Sequence, residues 1–216
     1  MSQAKKSGAG RPKSEEKKHQ ILLAASDSFL ECGFVATSMD QVANRAGVSK
    51  QTVYSHFANK DTLYTEVIKA KCAQYQLDEE HIELANASPE KVLHQLGLQF
   101  VHLILDPDVI SMYKIVIGEV NTNKHVAELF YNAGSQRGLK LLANYLNKQT
   151  VYPISEDIAS ELSTCFFNVL KGEYHMKSLL NIPFTVVEPE IEKHVSRTVK
   201  WAMLCLQHES EHISNK

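Results

Sequence analysis

Between residues 37 and 60 the sequence gathers side chains suited to one chemistry, hydrogen bonding to the edges and backbone of a nucleic-acid duplex. Lys50, Gln51, Thr52, Ser55 and His56 occupy the polar positions of one short segment. Each is a donor or acceptor of a length that reaches a base edge, and glutamine can pair with adenine through both amide atoms. Thr37, Ser38 and Lys60 stand where helices are expected to begin, positions that favour phosphate oxygens. No comparable set for covalent catalysis exists. A P-loop, a G-x-S-x-G elbow, a dinucleotide glycine motif and a paired-acid motif are all absent from the sequence, so an enzyme is not expected. Ten histidines are present and His208 and His212 lie four apart, yet neither a metal nor another cofactor is expected.

Such a polar strip needs a small rigid scaffold, and the flanking residues supply the signals for one. Ser14 followed by Glu15 and Glu16 reads as an N-cap with acids in the first turn. Ile21, Ala24, Ala25, Phe29 and Leu30 then recur at helical spacing, predicting a helix over 14–32 that Gly33 stops. Thr37 or Ser38 can cap a second, two-turn helix, with Gln41 placed to complete a capping box. Ala43 is small where two helices would cross, and Gly47 can take the positive φ of a turn. Ser49 caps a third helix over 50–57, with Val53, Tyr54 and Phe57 on its buried side. Asn59 caps a fourth, a linking helix over 60–84 with Leu63, Val67, Ile68 and Ala70 on one face. Three capped helices in about 45 residues with a glycine turn between the second and third form the pattern of a helix-turn-helix reader.

Charge agrees with a nucleic-acid partner at this end. Residues 1–60 hold 9 basic and 5 acidic side chains and residues 61–216 hold 14 and 20, so a head of +4 sits on a body of −6. Residues 1–13, with Lys5, Lys6, Arg11 and Lys13, lack hydrophobic periodicity and read as a flexible basic arm able to reach a minor groove. Beyond residue 85 long helical runs alternate with short breakers such as Ser88-Pro89, Asp106-Pro107 and Tyr152-Pro153. The run Ile115-Val116-Ile117 continues a spacing of three and four and reads as helix. The expected fold is therefore all-α, a helix-turn-helix domain over 14–60 followed by a larger helical domain over 85–210. Four widely spaced cysteines, no apolar h-region and no long apolar window point to a cytoplasmic protein with no membrane segment.

The stretch from Phe34 to Tyr64, with Thr-Val-Tyr-Ser-His-Phe followed by Lys-Asp-x-Leu, closely resembles the N-terminal domain of TetR-type transcriptional regulators. The resemblance implies that Lys50, Gln51, Thr52, Tyr54 and His56 face DNA and that Ser38, Tyr54 and Lys60 hold phosphates. Tyr54 would pack its ring and place its hydroxyl on the DNA backbone. Met112 to Val120 and Glu128-Leu-Phe-Tyr look like the AefR-like subgroup of C-terminal domains, which implies an all-helical domain that dimerises through its last two helices, here 155–181 and 188–208. Asn168 and Gly172 would allow close helix approach there, and Trp201, Leu204 and Cys205 give the last helix a second apolar face.

A cavity in that domain could be lined by Met112, Tyr113, Glu119, Phe130, Tyr131, Phe166, Phe167 and His175, which are aromatic, flexible or polar residues on the central helices. The expected function is a ligand-responsive repressor of bacterial cytoplasm and nucleoid: a homodimer on a palindromic double-stranded operator, released by a small hydrophobic or amphipathic effector. The alternative is a DNA-binding protein of the same fold whose C-terminal domain recruits a protein partner without any small effector.

Overall fold

The computed structural model describes residues 11–78 and 88–214, and these are helices joined by short turns, with no strand among them. They divide into two compact units, 1–68 and 69–216. The expected basic arm falls partly outside the described residues, since 1–10 are not among them.

Side-chain caps begin three of the first unit's helices. Helix α1 spans Arg11–Ala36, α2 Met39–Arg45, α3 Lys50–His56 and α4 Lys60–Gln74. Ser38 accepts from the Gln41 amide at 3.2 Å while the Gln41 side chain accepts from the Ser38 amide at 2.8 Å, the expected capping box. Ser49 accepts from the Thr52 amide and Asn59 from the Thr62 amide, starting α3 and α4. Helix α1 starts three residues earlier than the sequence suggested. Arg11, Pro12 and Lys13 are already helical, so Ser14 lies inside the helix. Gly33 leaves helical geometry at φ 78° and ψ 175°, where the sequence placed the stop. Ile21, Ala25, Phe29, Val42, Val53, Phe57, Leu63 and Tyr64 fill the core of this unit, with Tyr64 edge-on to Phe29 and Phe34.

Gly47 turns the chain between α2 and α3 at φ 65°. A Cβ there would meet nothing within 4 Å, so the backbone angle alone selects glycine. Gly47→Ala is expected to cost about 1–2 kcal/mol through left-handed strain without any clash. Thermal unfolding of the variant checks this, and an unchanged midpoint would refute it.

The linking helix ends at Gln74, ten residues short of its expected end. Gln76 takes φ 55°, its amide donates to the Ala73 carbonyl at 2.9 Å, and the Leu77 amide donates to that of Cys72 at 3.1 Å. This is a Schellman closure with glutamine where glycine is usual, sealed by buried Leu77. The remainder of the expected linker, 79–84, lies outside the described residues.

The second unit contains α5 (Pro89–Leu105), α6 (Pro107–Glu119), α7 (Lys124–Tyr131), a π-helical turn (Asn132–Gln136), α8 (Arg137–Lys148), α9 (Glu156–Leu179) and α10 (Glu188–Ser214). Pro89 and Pro107 occupy first-turn positions as expected, and Ile115–Ile117 is helical. Helix α5 packs on α9 and α10. Gly97 permits that approach, because a Cβ there would lie 2.8 Å from Val195 Cγ1. Leu93, Leu96, Leu142, Phe166, Phe167, Leu170, Val195 and Leu206 belong to the core of this unit. Helix α9 breaks at Gly172, whose φ of 49° and ψ of −151° lie in a region essentially reserved for glycine. His194 Nε2 lies 3.2 Å from the Leu170 carbonyl beside that break.

Candidate functional site

Helix α3 turns Val53 inward, fully buried, and leaves Lys50, Gln51, Tyr54 and Ser55 exposed. Gln51 has no hydrogen-bond partner among the described residues, so its amide is available to a ligand. Lys50 Nζ lies 2.8 Å from the Asp40 carboxylate and 6.0 Å from the Tyr54 ring centroid, which aims the ammonium along the outer face of α3. That carboxylate raises the Lys50 pKa, so the charge is retained. Thr52 is half-buried and its hydroxyl pairs with Ser49 at 2.8 Å; Ser55 donates back to the Thr52 carbonyl at 2.7 Å. Arg45 pairs with Glu31 and Asp27, bracing α2 against α1. His56 is half-buried at the end of α3, its ring 6.2 Å from that of Phe57.

Three expectations for this surface need correction. Tyr54 is 45% exposed, so its ring is not packed as expected but stands out from α3. Thr37 is 2% exposed, and its hydroxyl lies 2.7 Å from the Gly33 carbonyl and 3.0 Å from that of Ser28. It closes the end of α1 and has no surface to offer a phosphate. Lys60 Nζ donates to the carbonyls of Phe34, Val35 and Thr37 at 2.7, 3.2 and 2.8 Å and sits 4.4 Å from the Phe34 ring centroid. These bonds make Lys60 a staple across the end of α1. Ser38 remains exposed at the start of α2.

In the second unit, Tyr113 on α6 packs edge-on against Phe130 of α7 and His175 of α9, with centroids 4.7 and 4.8 Å away. The π-helical turn brings Ser135 Oγ to 3.4 Å from the Tyr113 hydroxyl. Such turns recur at functional sites because they re-aim side chains. His175 Nδ1 and Glu119 Oε2 are buried without a hydrogen-bond partner among the described residues. Burial and neighbouring Lys171 push the His175 pKa down, against a hydrogen bond to the Ile104 carbonyl, so the ring is neutral near pH 7. Met112 and Val116, both buried, share a face of α6 with Glu119.

A model of the TetR family of bacterial regulatory proteins matches residues 21–67, and one of the AefR-like transcriptional repressor C-terminal domain matches residues 91–152. The chain belongs to the TetR family. The HTH-type transcriptional activator FasR of Mycolicibacterium smegmatis is 46% identical over 55 residues, 26% of this chain and 25% of FasR. The chain thus spans about a quarter of that relative's length. Among solved structures, the flavonoid-responsive regulator FrrA aligns over 88% of this chain and 96% of its own, with 27% identity and a TM-score of 0.64. A TetR-family regulator from Mesorhizobium loti MAFF303099 shares the fold over 90% of this chain and 98% of its own, at 24% identity and TM-score 0.67.

Within this TetR-family chain, the eight residues expected to line a cavity do not all come together. Tyr113, Phe130 and His175 come together, with Met112 and Glu119 on the same helix as Tyr113. Phe166 and Phe167 do not join them; both are buried in the main core, and Phe167 packs on Phe100 at 4.6 Å. Tyr131 is 50% exposed. Ser135 and Lys171 are the neighbours that sequence reading missed, since only the π-helical turn and the fold of α9 bring them near. Gly172 breaks α9. Among the described residues no three His, Cys, Asp or Glu side chains group as a metal site, and no helix is long and apolar enough to cross a membrane.

Proposed function

We propose that this protein is a ligand-responsive transcriptional regulator that binds a palindromic operator as a homodimer and releases it when a small molecule enters the helical domain. The exposed face of α3 carries the reading. Gln51, Lys50, Tyr54 and Ser55 offer donors and acceptors on a helix that a glycine turn holds in the arrangement of a recognition helix. In a dimer, two such helices would enter successive major grooves about 34–36 Å apart. Dimerisation is supported by apolar side chains left in water on the last two helices: Val169 and Met176 on α9, and Trp201 (52% exposed) and Leu204 (56%) on α10. An effector rather than a protein partner is supported by the unpartnered Glu119 and His175 atoms, since a filled apolar core would contain neither. The likeness to flavonoid-responsive FrrA supports an aromatic effector.

Selection of random duplexes by the purified protein at a fixed salt concentration tests the reading, with a palindromic consensus as the expected result. Gln51→Ala should then lose about 1–3 kcal/mol on the consensus and little on unrelated duplex. Equal losses on both would remove Gln51 from base readout, and no enrichment of any sequence would overturn the proposal.

A further inference from the structure

We propose that His208 and His212, at the end of α10, chelate a divalent transition-metal cation through their two Nε2 atoms. Residues 208–212 read His-Glu-Ser-Glu-His, the form H-E-x-x-H in which two histidines four apart share a helix face and can bind zinc. The spacing alone is a weak sign; the side-chain geometry is what points to a metal. Both rings are exposed, and the two Nε2 atoms lie 3.2 Å apart with the ring planes crossed at 76°. Two nitrogens each about 2.0–2.1 Å from one Zn²⁺ at the tetrahedral angle lie about 3.3–3.4 Å from each other. The observed separation is thus close to that of two ligands of one ion.

The surroundings favour a cation there. A hydrogen bond at this distance holds one proton between the two nitrogens. A divalent ion bonds both lone pairs instead, and the displaced proton passes through water to the Nδ1 of the ring that held it. Glu209 Oε1 lies 3.5 Å from His208 Nδ1, the place of the carboxylate that orients a zinc-binding histidine. Glu211 adds a second negative charge to the same turn, no lysine or arginine occurs from 201 to 215, and the C-terminal end of a helix is itself negative. Imidazole ligands suit Zn²⁺, Ni²⁺ and Cu²⁺, whereas Mg²⁺ and Ca²⁺ take oxygen. Zinc hydrolases that use this motif supply a third protein ligand. Among the described residues no third His, Cys, Asp or Glu joins the pair, so water completes the shell. The site is a chelate that fastens the last turn of α10, not a catalytic centre.

The full chain, stripped of metal with a chelator, tests this by calorimetric titration with Zn²⁺ and, separately, with Mg²⁺. One Zn²⁺ per chain and no binding of Mg²⁺ are expected. His208→Gln and His212→Gln should each weaken Zn²⁺ binding by at least about tenfold, because even outer-shell partners are worth that much and one imidazole alone cannot chelate. The double variant should lose little beyond either single one. In the unaltered protein Zn²⁺ should also slow hydrogen exchange at the amides of the last turn of α10, since the chelate holds residues i and i+4 at helical spacing. A metal held by a cysteine or by histidines elsewhere would give no such protection, and this readout stands without the variants. Undiminished Zn²⁺ binding in both single variants, binding that leaves the last turn unprotected, equal binding of Mg²⁺, or no binding of Zn²⁺ would each overturn the site. None of these results bears on operator or effector binding, which the proposal does not use.

Discussion

Lys60→Met is expected to destabilise the helix-turn-helix unit by about 2–3 kcal/mol, the scale of losing a charge-assisted hydrogen bond and stranding partly buried acceptors. The carbonyls of Phe34 and Val35, in the last turn of α1, and of Thr37, just beyond it, all accept from the Lys60 ammonium. The methionine stem would still cover Phe34 but could donate nothing. Lys60→Arg should not restore stability, because a flat fork cannot aim its N–H groups at three carbonyls converging on one point. The signature is faster hydrogen exchange at the amides of α1 and α2. Trp201 lies in the other unit, so its fluorescence is the wrong probe. If Lys60 were a phosphate ligand instead, the variant would keep its stability and show a salt dependence of DNA binding shallower by about one charge. That outcome would reverse the assignment.

The staple also marks the boundary of what the sequence reveals. Caps are local: Ser38, Ser49 and Asn59 each act within three residues, so the starts of α2, α3 and α4 were readable from spacing alone. Gly47 was readable for the same reason. The role of Lys60 depends on carbonyls 23 to 26 positions away, and that of Thr37 on one nine residues back, which no periodicity encodes. At the end of α4 the sequence misled, because glutamine is not a stop signal; Gln76 holds its left-handed angle through the Schellman bonds and the burial of Leu77. In the helical domain, aromatic residues on apolar stripes look alike in sequence. Phe166 and Phe167 joined the main core while Tyr113 and Phe130 met His175, a division set by the break at Gly172 and the π-helical turn.

Asp106→Ala is expected to cost about 3 kcal/mol or more, because one carboxylate serves four neighbours at the corner between α5 and α6. It accepts from the amides of Asp108 and Val109 at 2.8 and 3.2 Å, capping α6, which is worth about 1 kcal/mol. It also accepts from the Tyr75 hydroxyl at 2.6 Å and pairs with Lys71 at 2.9 Å, charged hydrogen bonds of about 1.5–3 kcal/mol each before lost pairing is shared among them. Lys71 keeps a partner in Asp108 at 3.1 Å, so its charge is not wholly stranded. Burial would raise the Asp106 carboxyl, but the bonds from Tyr75, Lys71 and Val109 outweigh it and hold its pKa below the usual range. Stability from that carboxylate is therefore full above the unfolded value near 4 and is lost as pH falls through the depressed folded value. Tyr75 behaves oppositely. Burial and the Asp106 bond raise its phenol from 10.0 to about 12, so its contribution is intact below pH 10 and disappears as pH rises toward 12. Urea titrations across pH should show an acid loss absent in Asp106→Ala and an alkaline loss absent in Tyr75→Phe. A double-mutant cycle showing no coupling between the two would refute the shared bond.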